Sequence, residues 1–297
     1  FELLNSKETG VEFNNIIEDK KEHNILLYAN YYGGGGVGIA DFDNDGLQDI
    51  YFGGNLVSDK IYKNLGDFKF ADKTINSGIV DNGSWSSGIT IADVNNDGFV
   101  DIYVSKELYD YKPDLRKNKL YINKGDFTFE ESSKNWGVDV SARTRHAVFF
   151  DYNNDGYLDL YLLNQPPNPG SYSKFFGADL TLLEYSLQLF KNTGNNSFID
   201  VTKEAGLNRT GFPNSVVASD LNQDGFIDLY VANDFDAPDF LYYNNGDGTF
   251  SYETESSLKH TSFYSMGVDS ADINNDGELD IMVVDMTAED NFRLKSN

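Results

Sequence analysis

Ten short apolar segments, paired around five polar loops, set the pattern of this chain. Val37 to Ala40, Ile89 to Ala92, Ala147 to Phe150, Ser215 to Ala218 and Gly267 to Ser270 each run into a loop. Ile50 to Phe52, Ile102 to Val104, Leu160 to Leu162, Leu229 to Val231 and Ile281 to Val283 each leave one. The segments are too short for helices and are mostly β-branched or aromatic, so they predict strands and make every loop the turn of a hairpin. A second hairpin is predicted in four of the five units, around Asn64 and Gly66, Asn123 and Gly125, Asn192 and Gly194, and Asn244 and Gly246. In each, the Asn and Gly suit a tight turn with positive φ, and a Phe (Phe70, Phe129, Phe198, Phe250) follows at a fixed distance. Two hairpins in about 50 residues supply the four strands of one β-propeller blade, so an all-β propeller is expected.

The loops share nine positions, D-x-[DN]-x-D-G-x-x-D, and begin at 41, 93, 151, 220 and 272. Positions 1, 3 and 5 are Asp41, Asp43 and Asp45; Asp93, Asn95 and Asp97; Asp151, Asn153 and Asp155; Asp220, Asn222 and Asp224; and Asp272, Asn274 and Asp276. Position 6 is glycine, which permits a sharp turn. Position 7 (Leu47, Phe99, Tyr157, Phe226, Glu278) offers a backbone carbonyl, and position 9 closes with Asp49, Asp101, Asp159, Asp228 or Asp280. Such hard oxygen donors fit Ca²⁺ better than Mg²⁺, which prefers fewer protein ligands and retained waters, so about five calcium sites are expected. An EF-hand is excluded, because position 12 is apolar in every copy (Phe52, Val104, Leu162, Val231, Val283) and the flanks are strands.

Charge supports a bound cation. The 297-residue chain carries a net −25, and the loops hold sixteen aspartates, about a third of its 48 acidic residues; five Ca²⁺ would bring it to −15. So acidic a surface disfavours nucleic acid and anionic membranes as partners. With no cysteine there is no disulfide framework, thiolate zinc site or cysteine nucleophile. No apolar run reaches the roughly 20 residues that span a bilayer.

The repeated loop between strands resembles the FG-GAP/VCBS repeats of propeller proteins. The run Tyr31 to Gly46, with Ser265 to Asp269 and Asn291 to Lys295, is similar to the cartilage-acidic-protein (ASPIC/UnbV-associated) family, especially its Bacteroidota members. That resemblance implies a seven-bladed propeller with metal ligands at the loop positions above. It also implies export to the extracellular or outer-membrane surface as a lipoprotein, anchored upstream of Phe1, near nutrient-uptake transporter components. The whole of 1–297 is then one propeller domain. Its fifth unit stops where a second hairpin is due, which predicts a longer chain.

A ligand face is expected opposite the loops. The links there carry Tyr31, Tyr32, Trp85, Arg143, Arg145, His146, Phe212 and Tyr264, with Glu107, Tyr109, Asp110 and Tyr111 in one insert. A longer insert, 164–188, ends in a predicted short helix from Asp179 to Leu189. Aromatic and polar groups on one face suit a glycan, peptide or protein partner. Three readings follow: a non-catalytic binding module, a structural subunit of a surface or uptake complex, and, least favoured, a polysaccharide lyase using Arg143, Arg145 and His146. The lyase lacks a recognisable partner set for those residues, and the acidity of the chain opposes a polyanionic substrate.

Overall fold

A computed structural model describes residues 3–28, 30–81, 83–108, 112–166, 186–234 and 237–286. Within them the chain forms four antiparallel four-stranded sheets and one two-stranded sheet, each a simple meander. Sheet I holds β1 (Val37–Ala40), β2 (Asp49–Phe52), β3 (Lys60–Asn64) and β4 (Phe70–Asp72). Sheet II holds β5 (Ser86–Ala92), β6 (Asp101–Lys106), β7 (Lys119–Asn123) and β8 (Phe129–Glu131). Sheet III holds β9 (Arg143–Phe150), β10 (Asp159–Gln165), β11 (Gln188–Asn192) and β12 (Phe198–Asp200). Sheet IV holds β13 (Pro213–Ser219), β14 (Asp228–Asn233), β15 (Phe240–Asn244) and β16 (Phe250–Tyr252), and sheet V holds β17 (Ser265–Ala271) and β18 (Asp280–Asp285). The first strand of each sheet packs on the first strand of the next. This is the blade arrangement of a β-propeller, with the acidic loop joining the first two strands of every blade.

The core lies between successive sheets. Phe42, Tyr51 and Ile61 of sheet I meet Ile102, Val104 and Phe129 of sheet II. Tyr103, Leu120 and Trp136 meet Leu160, Phe190 and Phe198 of sheet III, and Tyr161, Leu163 and Leu189 meet Leu229, Phe240 and Tyr242 of sheet IV. A second strand is therefore covered on both faces, which is why β6, β10 and β14 are buried at every position and carry an unbroken apolar run at their centres.

The predicted strands are all present, and most of the pairs flanking a loop are longer than their apolar runs. Polar residues extend β6 to Lys106, β10 to Gln165 and β9 back to Arg143. Arg143, Arg145 and His146 accordingly stand in a strand, not in a link. In the second hairpins the Gly takes positive φ (Gly66 84°, Gly125 80°, Gly194 70°, Gly246 72°). The Asn does not: it ends the strand, and its side chain accepts the Gly N–H at 2.9–3.0 Å. Short helices lie at Ser6–Thr9 (α1), Ser133–Trp136 (α2) and Thr254–Ser257 (α3). The helix expected over Asp179–Leu189 lies mostly outside the described residues, and Gln188 and Leu189 belong to β11. Residues 109–111, including Tyr109, Asp110 and Tyr111, and the segment Asn291 to Lys295 also lie outside them.

A buried lysine ties sheets I and II on the side away from the loops. Lys106 Nζ lies 3.3 Å from Asp59 Oδ2, 3.3 Å from Asp81 Oδ1 and 2.8 Å from Ser86 Oγ. Burial alone would raise the Asp81 pKa, but the Lys106 ammonium together with hydrogen bonds from the Ser84 side chain and the Asp59 N–H holds the group below its ordinary value. The Asp59 position recurs as Asp239 in sheet IV, where it accepts the Asn233 N–H at 2.7 Å and the Tyr230 hydroxyl at 2.8 Å, as Asp59 accepts the Gly54 N–H and the Tyr51 hydroxyl.

Candidate functional site

Each acidic loop is wired by its own backbone in one repeated pattern. In the second loop, Asp93 Oδ1 accepts the Asp97 N–H at 3.1 Å and Asp93 Oδ2 accepts the Gly98 N–H at 2.8 Å. Asp97 Oδ1 accepts the Phe99 N–H at 2.9 Å. Asp101 Oδ2 accepts the Val94 N–H at 3.0 Å, and Oδ1 accepts the Asn123 N–H from the third strand at 2.8 Å. The first loop repeats these bonds through Asp41, Asp45 and Asp49. The third does so through Asp151, Asp155 and Asp159, and the fourth through Asp220, Asp224 and Asp228. In the fifth, Asp272, Asp276 and Asp280 make the bonds internal to the loop. Apart from Asp228 Oδ2, which also accepts the Asn222 N–H at 3.3 Å, each wired oxygen keeps a second lone pair, so the wiring orients the carboxylates without consuming them.

Position 9 is thus a staple as well as a candidate ligand. Asp49, Asp101, Asp159 and Asp228 are fully buried. Burial pushes Asp101 and Asp159 up to about 7, against the pull of their backbone hydrogen bonds, and raises Asp49 and Asp228 in the same direction. Buried carboxylates facing other carboxylates are the electrostatic setting that a divalent cation relieves. In the first loop, oxygens of Asp41, Asp43 and Asp49 lie within 4.8 Å of one another, and Asp43 Oδ1 is buried without a hydrogen-bond partner. The donor set and that orphaned oxygen both fit a hard cation.

Three features of the loops were not read from the pattern. The first is position 4, which is Asn44, Asn96, Asn154, Gln223 or Asn275, all at φ 55–63°. Its side-chain amide donates to the position-6 carbonyl of the next loop: Asn44 to Gly98 (3.1 Å), Asn96 to Gly156 (3.1 Å), Asn154 to Gly225 (3.2 Å) and Gln223 to Gly277 (3.0 Å). An unbroken run of amides at position 4 was the available signal. The second is the hairpin Asn, whose Nδ2 reaches back to the preceding loop: Asn123 to Phe42 O (2.8 Å), Asn192 to Val94 O (2.8 Å) and Asn244 to Tyr152 O (2.7 Å). The third is the side chain at position 7. A Cβ at Gly125 would stand 2.7 Å from the Phe99 ring, and one at Gly194 or Gly246 would meet Tyr157 or Phe226 just as closely, which accounts for glycine in those turns.

The expected ligand face is largely occupied by packing. Tyr31 and Trp85 are completely buried, and their ring centroids lie 5.4 Å apart. Tyr28 completes this cluster, with Arg143 stacked 5.1 Å over its ring; Arg143 itself is buried. These three expected contacts are therefore corrected: Tyr31, Trp85 and Arg143 hold the face together and do not present themselves on it. Arg145 is half-buried and lies 3.3 Å from the fully buried Glu107 carboxylate. His146 is half-buried in β9, and desolvation with the Arg145 charge lowers its pKa. Tyr32 is 60% exposed, its hydroxyl bonded to Asp19. Phe212 and Tyr264, both half-buried, sit before β13 and β17; their carbonyls accept the N–H groups of Asp234 and Met286. On the loop side, a groove of about 430 Å³ runs between sheets II and III, lined by Asp97, Phe99, Lys124, Glu130, Trp136 and Asn196 among others.

Among solved structures, the chain is similar to that of an Agrocybe aegerita lectin described as recognising non-reducing terminal N-acetylglucosamine (19% identity, TM-score 0.46). The alignment covers 82% of this chain and 59% of that one. The V. cholerae biofilm matrix protein Bap1 is 15% identical with a TM-score of 0.38, over 75% of this chain and 30% of the other. The chain thus spans less than two thirds of the length of either. No curated protein sequence matches it. The FG-GAP-like repeat matches at residues 23–104, 112–162, 178–231 and 220–283, which takes in all five acidic loops. The chain belongs to the FG-GAP-like repeat family.

Proposed function

We propose that the chain is a calcium-stabilised, non-catalytic binding module of an exported surface protein. The observation that carries this reading is the fivefold recurrence of one backbone-wired donor set at the same corner of every sheet. Bound Ca²⁺ would neutralise the converging carboxylates; Asp or Asn side chains at positions 1, 3, 5 and 9 and the position-7 carbonyl would hold it. The wiring orients those groups, and the position-9 staple transmits their fixation to the third strand. The loops on this reading are scaffold, and ligand recognition falls to other surfaces.

A glycan, peptide or protein ligand is proposed. The groove beside the second loop combines aromatic walls with amide, carboxylate and ammonium groups, a lining that suits polar ligands with apolar faces. Exposed Tyr32 offers a further contact on the opposite face. A lyase is disfavoured because Arg143 is buried in packing and Arg145 is paired with buried Glu107. The finer resemblance to the ASPIC/UnbV-associated family supports a surface lipoprotein of a Bacteroidota-type organism and a propeller completed by further blades. Exposed Val37 and Ile39 on β1, and Met282 and Val284 on β18, suit additional sheets packing there. A structural role in an outer-membrane or nutrient-uptake complex is the second reading. No helix among the described residues is long and apolar enough to cross a membrane.

Glycan and peptide arrays, run with an assay for unsaturated uronate release, test the proposal. Saturable binding without turnover is the expected result. Calcium-dependent release of unsaturated product would replace the binding module with a lyase.

A further inference from the structure

At the side-chain donor positions 1, 3, 5 and 9 the five loops are alike except at position 3 of the first. There Asp43 stands where Asn95, Asn153, Asn222 and Asn274 stand in the others. The same loop has a second peculiarity. Lys63, the residue before the hairpin Asn of sheet I, turns its ammonium into the loop, contacting Asp43 Oδ2 and lying 2.9 Å from Asp45 Oδ2. The equivalent residues, read from the same strand registers, are Ile122, Lys191 and Tyr243. Of these, Lys191 reaches one carboxylate among the described residues, Asp155 Oδ2 at 3.2 Å. The extra carboxylate and the doubly engaged lysine therefore occur together.

We propose that Lys63 is a tethered cation of the first loop, holding the place between Asp43 and Asp45 that a divalent ion has to enter, so that this loop fills last. The inference rests on the reading of the loops as calcium sites.

What the other loops put in that place explains the difference. In loops two, three and four the Asn side-chain amide donates to the position-5 Oδ2, at 2.8 Å in Asn95–Asp97, 3.0 Å in Asn153–Asp155 and 3.0 Å in Asn222–Asp224. An amide that gives up this bond can turn its oxygen to an arriving ion. An ammonium has no acceptor and carries like charge, so it has to leave. Lys63 is well placed to stay. Its neighbour Asn64 is bound through its N–H to Asp49 Oδ1 at 2.7 Å, and the ammonium lies 5.7 Å from the centre of the Phe127 ring.

Calcium titration of the metal-free chain by calorimetry tests this, comparing wild type with Lys63→Met, Lys191→Met and Asp97→Asn. The wild type is expected to bind four ions in one class and a fifth about tenfold or more weakly, the order of effect that one displaced charge pair produces. Lys63→Met should bring the fifth ion into the tight class, Lys191→Met should change affinity less, and Asp97→Asn should remove one tight site. A weak fifth site that is unmoved by Lys63→Met, or five equivalent sites in the wild type, would overturn the role of Lys63 alone. Absence of calcium binding in every protein would overturn the calcium reading and this inference with it.

Discussion

The side-chain amide of Asn96 donates to the carbonyl oxygen of Gly156 at 3.1 Å, joining the second acidic loop to the third across sixty residues of chain. Asn96 is held at φ 58°, a left-handed conformation that Asn tolerates better than most residues. The Gly156 N–H is in turn bound by Asp151 at 2.8 Å, so the bond runs from one donor set into the next. Two substitutions separate its components. Asn96→Gly keeps the backbone conformation and loses only the hydrogen bond, at about 1 kcal/mol. Asn96→Ala adds the cost of a left-handed non-glycine residue, roughly 1–2 kcal/mol more. Urea unfolding of both variants at saturating calcium measures the two, and equal stabilities would remove the conformational part of the argument.

Position 9 is expected to differ from position 5 in when it matters. Asp101 bonds Val94 and Asn123 through the backbone with no metal involved, whereas Asp97 bonds Phe99 within its own loop. Asp101→Ala should therefore destabilise the chain even in chelator, by roughly 2–4 kcal/mol for two buried N–H groups left without an acceptor. Asp97→Ala should cost most of its stability only when calcium is present. Denaturation of both variants with and without EGTA checks this crossing of effects.

Lys106 should prove the most sensitive charged residue on the side away from the loops. Its removal leaves Asp59, fully buried, without its ammonium. Lys106→Met is expected to cost about 3–5 kcal/mol, the usual penalty for breaking a buried pair from one side. The double variant Lys106→Met with Asp59→Asn should recover part of the loss, and thermal unfolding of the three proteins reads it directly.

His146 gives a pH dependence with a definite sign. Desolvation and the neighbouring Arg145 charge lower its pKa in the folded chain, so the folded state binds fewer protons than the unfolded state just below the ordinary value of 6.5. Its contribution to stability is complete above that value and is lost as pH falls from 6.5 towards the lowered folded value. Melting temperatures of wild type and His146→Gln between pH 5 and 7.5 should converge at the acid end. Parallel curves would show that His146 does not titrate on unfolding.

Much of this architecture was legible because a repeat exposes its own rule. The strand pairs around Asp41 to Asp49 and its four relatives, the second hairpins and the all-β class follow from apolar runs and turn residues at fixed offsets. The pairing of Tyr31 with Trp85 was not legible, since an aromatic in a link reads alike whether it faces solvent or fills a gap between inserts. Arg143 was misplaced for a related reason. Its strand continues past the apolar run, where Thr144, buried and bonded to Asn164 at 2.8 Å, keeps the ladder going with polar side chains. The bond from Asn44 to Gly98 depends on how neighbouring sheets are set against each other, which a single repeat does not state. Lys63 was hidden because strand registry alone brings it beside Asp43 and Asp45.

The central claim is that calcium in the acidic loops stabilises the propeller, and thermal unfolding with and without the ion tests it most directly. Binding confined to the folded state raises the melting temperature with ligand concentration. The melting temperature of the chelated chain should rise progressively as calcium is added, and by less in an Asp97→Ala variant. A melting curve that is the same in EGTA and in calcium would contradict the claim.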